Sequence, residues 1–215
     1  MIPRGVSIRF SRRRHFPFIA IHESEFWPHE FVRLLWISRT WKLLEDSDEL
    51  SVLRIDGSTI KLLSGYRQMF FSEFGKWKKW YLPSDDGKSI KGQIVLDVGA
   101  GCGESAYFFL KNGASKVICI EPDKKAFEVL RENSKVNGWN VELLNEYFSL
   151  AMISYSYDFL KMDCEGCEDQ LLNLTIIEKP SVIEVHNKKL SEELRKKFQL
   201  KSIYEKGEIS IIRNF

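Results

Sequence analysis

No apolar run in this 215-residue chain approaches the roughly 20 residues that a membrane-spanning helix needs. Nor is a secretory leader expected, because Arg4, Arg9, Arg12, Arg13, Arg14 and other polar residues interrupt every apolar stretch near the start. Cysteine is scarce. The four residues Cys102, Cys119, Cys164 and Cys167 offer no disulfide framework, so free thiols and a cytoplasmic setting are expected. Cys164 and Cys167 form a Cys-x-x-Cys pair, but no second pair and no thioredoxin-like context accompany it, which predicts two buried thiols. Acid is missing from the first 22 residues, which hold five Arg; such a patch could meet phosphate, a membrane surface or an acidic face of the protein itself. Over the whole chain the net charge is only +2, so overall charge selects no partner. Repeats and low-complexity segments are absent too.

What is present is an alternation. From Gln93 onward, apolar β-branched runs take turns with helical periodicity. Ile94 to Val98 (IVLDV) reads as a buried strand, followed by a short helix over Glu104 to Asn112 that Gly113 ends. Lys116 to Glu121 is the next strand. Pro122 then opens a helix with Asp123 in its first turn and Ala126, Phe127, Val129 and Leu130 on its inner face, closed by Gly138. Strands are expected at Val141 to Leu144, Asp158 to Asp163 and Ser181 to His186, with a helix from Glu168 to Leu174 between the last two. Ser191 is a candidate cap for EELRKKF, and Lys201 to Phe215 reads as a hairpin turning at Glu205-Lys206-Gly207-Glu208. Repeated strand–helix–strand units predict an α/β, Rossmann-like, seven-stranded and mostly parallel sheet with helices on both faces and a C-terminal antiparallel hairpin.

Residues 1–92 read as an α+β N-terminal extension. Pro28 could start a helix running to about Leu44, with Phe31, Leu34, Leu35 and Trp41 inward. A hairpin is expected around Asp56-Gly57, and Tyr66, Phe70, Phe74, Trp77 and Tyr81 recur at helical spacing. Within that helix Lys76-Trp77-Lys78-Lys79-Trp80-Tyr81 is either a base-stacking platform beside phosphate contacts or a helix with one wet face. Ser84 to Lys88 is the linker candidate. The division expected is therefore 1–92 for substrate recognition or capping, and 93–215 for the ligand-binding domain.

In a sheet of this kind ligands bind beyond the carboxyl ends of the strands. Asp97, Glu121, Asp163 and His186 fall at those ends. The loop after the first strand, Gly99-Ala100-Gly101-Cys102-Gly103, spaces its glycines G-x-G-x-G and not G-x-G-x-x-G. Glu104 stands where a dinucleotide loop would carry its third glycine, and its carboxylate would repel a pyrophosphate. A nicotinamide dehydrogenase is disfavoured on that ground, and no Gly-Lys-Ser/Thr follows to make a P-loop.

Asp97-Val98-Gly99-Ala100-Gly101-Cys102-Gly103 resembles the first motif of class I S-adenosylmethionine-dependent methyltransferases, and Glu121 is similar to that family's ribose-binding acid. The resemblance covers Gln93 to Phe215. It implies S-adenosyl-L-methionine as cofactor, held by Asp97, Gly99, Ala100, Gly101, Gly103, Glu121 and Pro122. Asp97 would anchor the loop or reach the methionine amino group through water. A second stretch, DFLKMDCEGCE from Asp158 to Glu168, resembles the signature of the FkbM group, whose members O-methylate sugars and polyketide hydroxyls. Cys164, Cys167 and the Arg- and Trp-rich start depart from that group's pattern. This resemblance implies a small-molecule or glycan hydroxyl as acceptor, with Asp163, His186 and Glu165 as catalytic residues. The same three could instead bind a divalent metal, although none is assigned. The Asp/Asn-Pro-Pro-Tyr/Phe motif for base amino groups is absent.

Two other functions stay open on the sequence. One is an RNA or protein methyltransferase docking through its basic, Trp-rich start. The other is a non-catalytic cofactor-binding protein. Oligomeric state is not expressed in the pattern.

Overall fold

The computed structural model describes residues 7–10, 17–20, 41–82 and 90–215. The chain divides into two compact units, Met1–Ser64 and Gly65–Phe215. Residues 28–40 of the expected Pro28 to Leu44 helix and the Ser84 to Lys88 linker lie outside the described residues.

In the first unit, strands β1 (Ser7–Phe10) and β2 (Pro17–Ala20) pair antiparallel. A second antiparallel sheet follows, built from β3 (Trp41–Asp46), β4 (Leu50–Ile55) and β5 (Ser58–Leu63). Strand β3 replaces the end of the expected helix: Trp41 to Leu44 are extended and pair with β4. Ladder pairing with β4, from Trp41 opposite Ile55 to Asp46 opposite Ser51, outcompetes the 3.6-residue spacing there. The β4–β5 hairpin turns where expected. Asp56 and Gly57 both take positive φ, 48° and 91°, as a two-residue type I′ turn requires.

The second unit opens with helix α1 (Ser64–Tyr81). Its stripe of Phe70, Trp77, Trp80 and Tyr81 is buried. Then come β6 (Ile94–Val98), α2 (Glu104–Lys111), β7 (Lys116–Ile120), α3 (Lys124–Asn137), β8 (Val141–Leu144), β9 (Phe159–Met162), β10 (Ser181–Val185), α4 (Lys188–Phe198), β11 (Lys201–Lys206) and β12 (Ile209–Arg213). They form one seven-stranded sheet in the order β11-β12-β10-β9-β6-β7-β8. All neighbours are parallel except β12, which runs antiparallel to β10 and β11. The chain thus winds outward from β6 to β8 and then returns to β9 on the other side of β6. With right-handed crossovers, that reversal sends the connections before and after it to opposite faces of the sheet. It also opens a crevice between the carboxyl ends of β6 and β9.

Two helix starts differ from expectation. Asp123, not Pro122, begins the helix boundary: its side chain accepts from the Ala126 amide at 2.8 Å, and α3 starts at Lys124. Asn187 caps α4 by accepting from Leu190 N at 2.9 Å, which puts Ser191 inside the helix, bonded to Ser210. The helix expected from Glu168 to Leu174 is present, as a 3-10 helix over Cys167–Asn173. The core under the sheet gathers Leu96, Val98, Ile118, Ile120, Leu160, Met162, Ile183 and Val185. No helix among the described residues is long and apolar enough to cross a membrane.

Candidate functional site

The crevice holds a cavity of about 360 Å³. The sheet side contributes Gly99, Gly101, Glu104, Ser105, Glu121, Pro122, Lys161, Asp163, Cys164 and Glu165; helix α1 contributes Tyr66, Met69, Glu73, Trp77 and Tyr81. Residues from four parts of the chain therefore meet at one place, because parallel strands deliver all their carboxyl ends to the same rim.

The glycines of the loop do different things. At Gly99 (φ 75°) a Cβ would stand 1.7 Å from the Asp163 carbonyl oxygen, so glycine is required there by the backbone leaving β9. At Gly101 (φ 54°) a Cβ would meet only side chains, the Tyr66 ring at 2.8 Å and Glu104 Oε1 at 2.9 Å. Gly101 lines the cavity, and no backbone blocks a side chain there. Gly103 packs against Leu130 and Trp139 instead. The loop is pinned from behind: Gly99 N and Ala100 N donate to the Ile120 carbonyl at 2.9 and 3.1 Å, and Asn133 donates to the Cys102 carbonyl at 2.8 Å.

Asp97 does not reach the cavity. It is fully buried; Oδ2 accepts from Ser105 Oγ at 2.6 Å, and Oδ1 lies 3.1 Å from Lys161 Nζ. Lys161 also donates to the Gly99 carbonyl at 2.7 Å. Burial would depress the lysine, but Asp97 and Asp163 outweigh it and hold its pKa above the ordinary value. The pair is internal architecture that ties β6, β9 and the glycine loop together. The sequence signal was visible, since a lysine inside the apolar strand Phe159–Met162 needs a buried anion.

Glu121 fits its expected position at the end of β7. Oε2 accepts from Gly101 N and Oε1 from Asp123 N, each at 2.8 Å. Two backbone bonds fix the carboxylate against the loop and leave lone pairs toward the cavity. Ala100, like Asp97, is buried away from the cavity.

Glu104 was read only as an obstacle to pyrophosphate. Here it is 3% exposed at the cavity wall, and Oε2 has no hydrogen-bond partner. Burial pushes its pKa up to about 8.

The expected catalytic trio converges. His186 Nε2 lies 3.8 Å from Asp163 Oδ1, 3.6 Å from Glu165 Oε1 and 3.8 Å from Glu184 Oε1. Its Nδ1 faces the buried Glu168 at 3.8 Å. These separations are ionic contacts, longer than hydrogen bonds. Glu168 beside it, with Asp163, Glu165 and Glu184, pushes the imidazole up to about 9 against the opposing effect of burial. That shift favours the charged form of His186 at neutral pH. Burial, then Asp163 and Glu73, push Glu184 up, and burial likewise raises Glu73. Ligand atoms of Asp163, Glu165 and His186 lie within 4.8 Å of one another, a set that could hold a divalent ion. Asp163 and Glu165 line the cavity; His186 stands behind them.

One expectation about this region is overturned, and one alternative is decided. Cys164 and Cys167 are joined in a disulfide, not free; only Cys102 and Cys119 are free, both buried. The short 3-10 turn brings their Cα atoms to 5.5 Å, within bridging range. Trp77 and Trp80 are 3% and 4% exposed, so the Lys–Trp segment is a helix with one wet face and its tryptophans offer no stacking platform. Trp77 and Tyr81 instead pack on Phe108 of α2, at centroid distances of 5.8 and 6.1 Å.

Comparison with known proteins decides the architecture. TYW2 of M. jannaschii, solved with AdoMet, superposes with a TM-score of 0.50, covering 80% of this chain and 87% of its own at 18% identity. Trm5 of Methanocaldococcus jannaschii, solved with adenosine, gives 0.51 over 80% of this chain and 56% of its own at 14% identity. The fold is that of the class I methyltransferases. Among curated sequences, protein 65 of Sulfolobus islandicus filamentous virus is 32% identical over 114 residues, 48% of this chain and 63% of its own. The ribosomal protein L11 methyltransferase of Enterobacter sp. (strain 638) is 30% identical over 113 residues, 53% of this chain and 35% of its own. The chain thus spans less than two thirds of either relative. No family model matches.

Proposed function

We propose that the chain is a methyltransferase that uses S-adenosyl-L-methionine, and that its acceptor is an amine on a protein. One observation carries the cofactor: the Glu121 carboxylate clamps Gly101, which lines the cavity. The charge of the cavity fits a cationic ligand. Glu73, Glu104, Glu121, Asp163 and Glu165 line it, while its lysine, Lys161, is committed to Asp97 and Gly99. A sulfonium suits that field and a pyrophosphate does not. Gly99, Gly101, Glu121 and Pro122 would hold the nucleoside; Asp97, Ala100 and Gly103 shape the loop from behind.

When bound, the cofactor supplies a methyl group on a sulfonium whose departure as a neutral thioether needs no acid. The chain's part is to place the acceptor in line and to take its proton. Asp163 is the carboxylate at the cavity positioned for that proton. His186, charged, orients Asp163 and Glu165 without titrating near neutrality. Residues 1–92 would recognise or cap the acceptor.

The acidic lining supports an amine over a phosphate-rich acceptor, and the L11 methyltransferases among the relatives act on a protein by name. The FkbM-like string around Asp163 supports a second reading, O-methylation of a small hydroxyl. Buried Trp77 and Trp80 weaken an RNA reading. Calorimetry with S-adenosylhomocysteine tests the cofactor: absence of both heat and thermal shift would leave a scaffold protein. Methyl-labelled cofactor added with a cell extract tests the acceptor. Label in protease-sensitive, ribonuclease-resistant material is expected. Label in the small-molecule filtrate would transfer the assignment to the hydroxyl reading.

A further inference from the structure

Asp97 was expected to anchor the loop or to reach the methionine amino group through water, and its contacts are those of an anchor. Its two oxygens are taken by Ser105 and Lys161, and it is sealed from the cavity. Among the described residues lining the cavity, Glu104 is the buried carboxylate with an oxygen lacking any hydrogen-bond partner. Its other oxygen, Oε1, lies beside Gly101, where a Cβ would come within 2.9 Å. The carboxylate therefore borders one of the glycines that line the cavity.

A carboxylate 3% exposed with an empty oxygen is costly unless a cation or donor completes it. Backbone amides of Glu104 and Cys102 ease the charge on the group but leave Oε2 without a partner, and the side chains facing it do not supply one. Lys161 on β9 is engaged elsewhere, Asp97 on β6 repels it, and Tyr66 on α1 is a neutral phenol whose own pKa burial raises. Cys102 in the loop is a buried thiol. What is missing is a positive group delivered from the cavity.

We propose that Glu104 is the residue that receives the α-ammonium of the cofactor's methionine half, through Oε2. This rests on the S-adenosylmethionine reading above and names one subsite of it. The same carboxylate that excludes a dinucleotide then selects the cationic amino acid end of this ligand. It also predicts a proton count. With its pKa near 8 in the empty cavity, Glu104 is mostly protonated at neutral pH; an ammonium beside it favours the carboxylate, so binding expels a proton to solvent.

The test uses the full chain, its Glu104→Gln variant and three nucleosides. S-adenosylhomocysteine carries the ammonium without the sulfonium. S-adenosylmethionine carries both. 5′-Methylthioadenosine carries neither. Calorimetry at pH 7 in two buffers of different ionisation enthalpy reads affinity and protons together. The unaltered chain is expected to release close to one proton with either amino acid-bearing ligand and none with methylthioadenosine. In the variant that release disappears, affinity for S-adenosylhomocysteine falls about ten- to hundred-fold, as for loss of a charge-assisted bond, and methylthioadenosine binds as before. A loss confined to S-adenosylmethionine would overturn the proposal in favour of a sulfonium contact. Equal weakening of all three ligands with a lowered melting temperature would reduce Glu104 to a structural part. Unchanged binding would also overturn it. If the unaltered chain binds none of the three, the cofactor reading itself fails, an outcome distinct from each of these.

Discussion

Lys161 and Asp97 form an ion pair inside the sheet, Nζ to Oδ1 at 3.1 Å, with side chains 4% and 0% exposed. It joins the central strand β6 to its neighbour β9 directly beneath the cavity, and the same ammonium holds the Gly99 carbonyl. Breaking one side of such a pair leaves a charge that water cannot reach. Lys161→Met should therefore lower unfolding free energy by about 3–5 kcal/mol. Asp97→Asn combined with Lys161→Met should cost less than the sum of the single changes. Urea denaturation of the four proteins measures this, and strict additivity would mean that the two groups do not interact.

Gly99 and Gly101 should respond differently to alanine. At Gly99 the obstacle is backbone, the Asp163 carbonyl, which cannot step aside without moving β9. Gly99→Ala should cost about 4 kcal/mol or fail to fold. At Gly101 the obstacles are the tips of Tyr66 and Glu104, so Gly101→Ala should fold with a loss of about 1–2 kcal/mol, from the positive φ and local shifts. Its defect should be in nucleoside affinity. Melting curves and titration with S-adenosylhomocysteine separate the two effects. A Gly101→Ala protein that binds as well as the original would show that the ligand does not approach there.

Much of this was readable before any coordinates. The β6 to β10 strands announce themselves as β-branched apolar runs, and a parallel sheet then dictates that Glu121 and Asp163 share a rim. What the residues did not reveal follows from non-local causes. Trp41 sits in a strand because β4 is there to pair with it. Asp97 is a structural partner because Lys161, 64 positions later, points into the same core. Tyr66 and Glu73 reach the cavity only because α1 lies across it, a fact no local periodicity contains. Glu104 illustrates a subtler limit. Its repulsion of phosphate was legible from charge alone, but its unsatisfied oxygen became visible only once its surroundings were in place.

The disulfide makes a chemical prediction. Thiol titration of the native chain should find no reactive group, because Cys164 and Cys167 are bridged and Cys102 and Cys119 are fully buried. Mild reduction should expose two thiols, and unfolding in reductant should give four. Replacing both bridged cysteines with serine should cost about 2 kcal/mol, given the short loop closed. Two thiols reacting without reductant would restore the free-thiol expectation.

His186 should make stability fall with rising pH. Its folded pKa near 9 stands above the ordinary 6.5, so the imidazolium stabilises the fold fully below pH 6.5 and ceases to do so as pH passes 9. The facing groups are Glu168, Asp163, Glu165 and Glu184, all of which favour the charged ring. For a partly solvated group the contribution is about 2 kcal/mol across that window. Denaturation from pH 6 to 10, with His186→Gln as the reference, isolates it. A ring titrating near 6.5 by NMR would overturn the assignment and return His186 to candidacy as a base.

If His186 is charged, the proton of the acceptor falls to Asp163, and this separates chemistry from binding. Asp163→Asn keeps the shape and hydrogen-bonding reach of the side chain while removing its basicity. Methyl transfer should fall by about 10²- to 10⁴-fold, the usual worth of a positioned base. Affinity for S-adenosylhomocysteine should change little, since Gly101 and Glu121 are untouched. Raising the pH should rescue part of the lost rate with an amine acceptor, because more of the free amine is then already deprotonated; a hydroxyl acceptor, with its far higher pKa, gains no such rescue. The same variant thus reports on the nature of the acceptor. Undiminished turnover in Asp163→Asn would show that solvent takes the proton and that Asp163 is there for packing and charge alone.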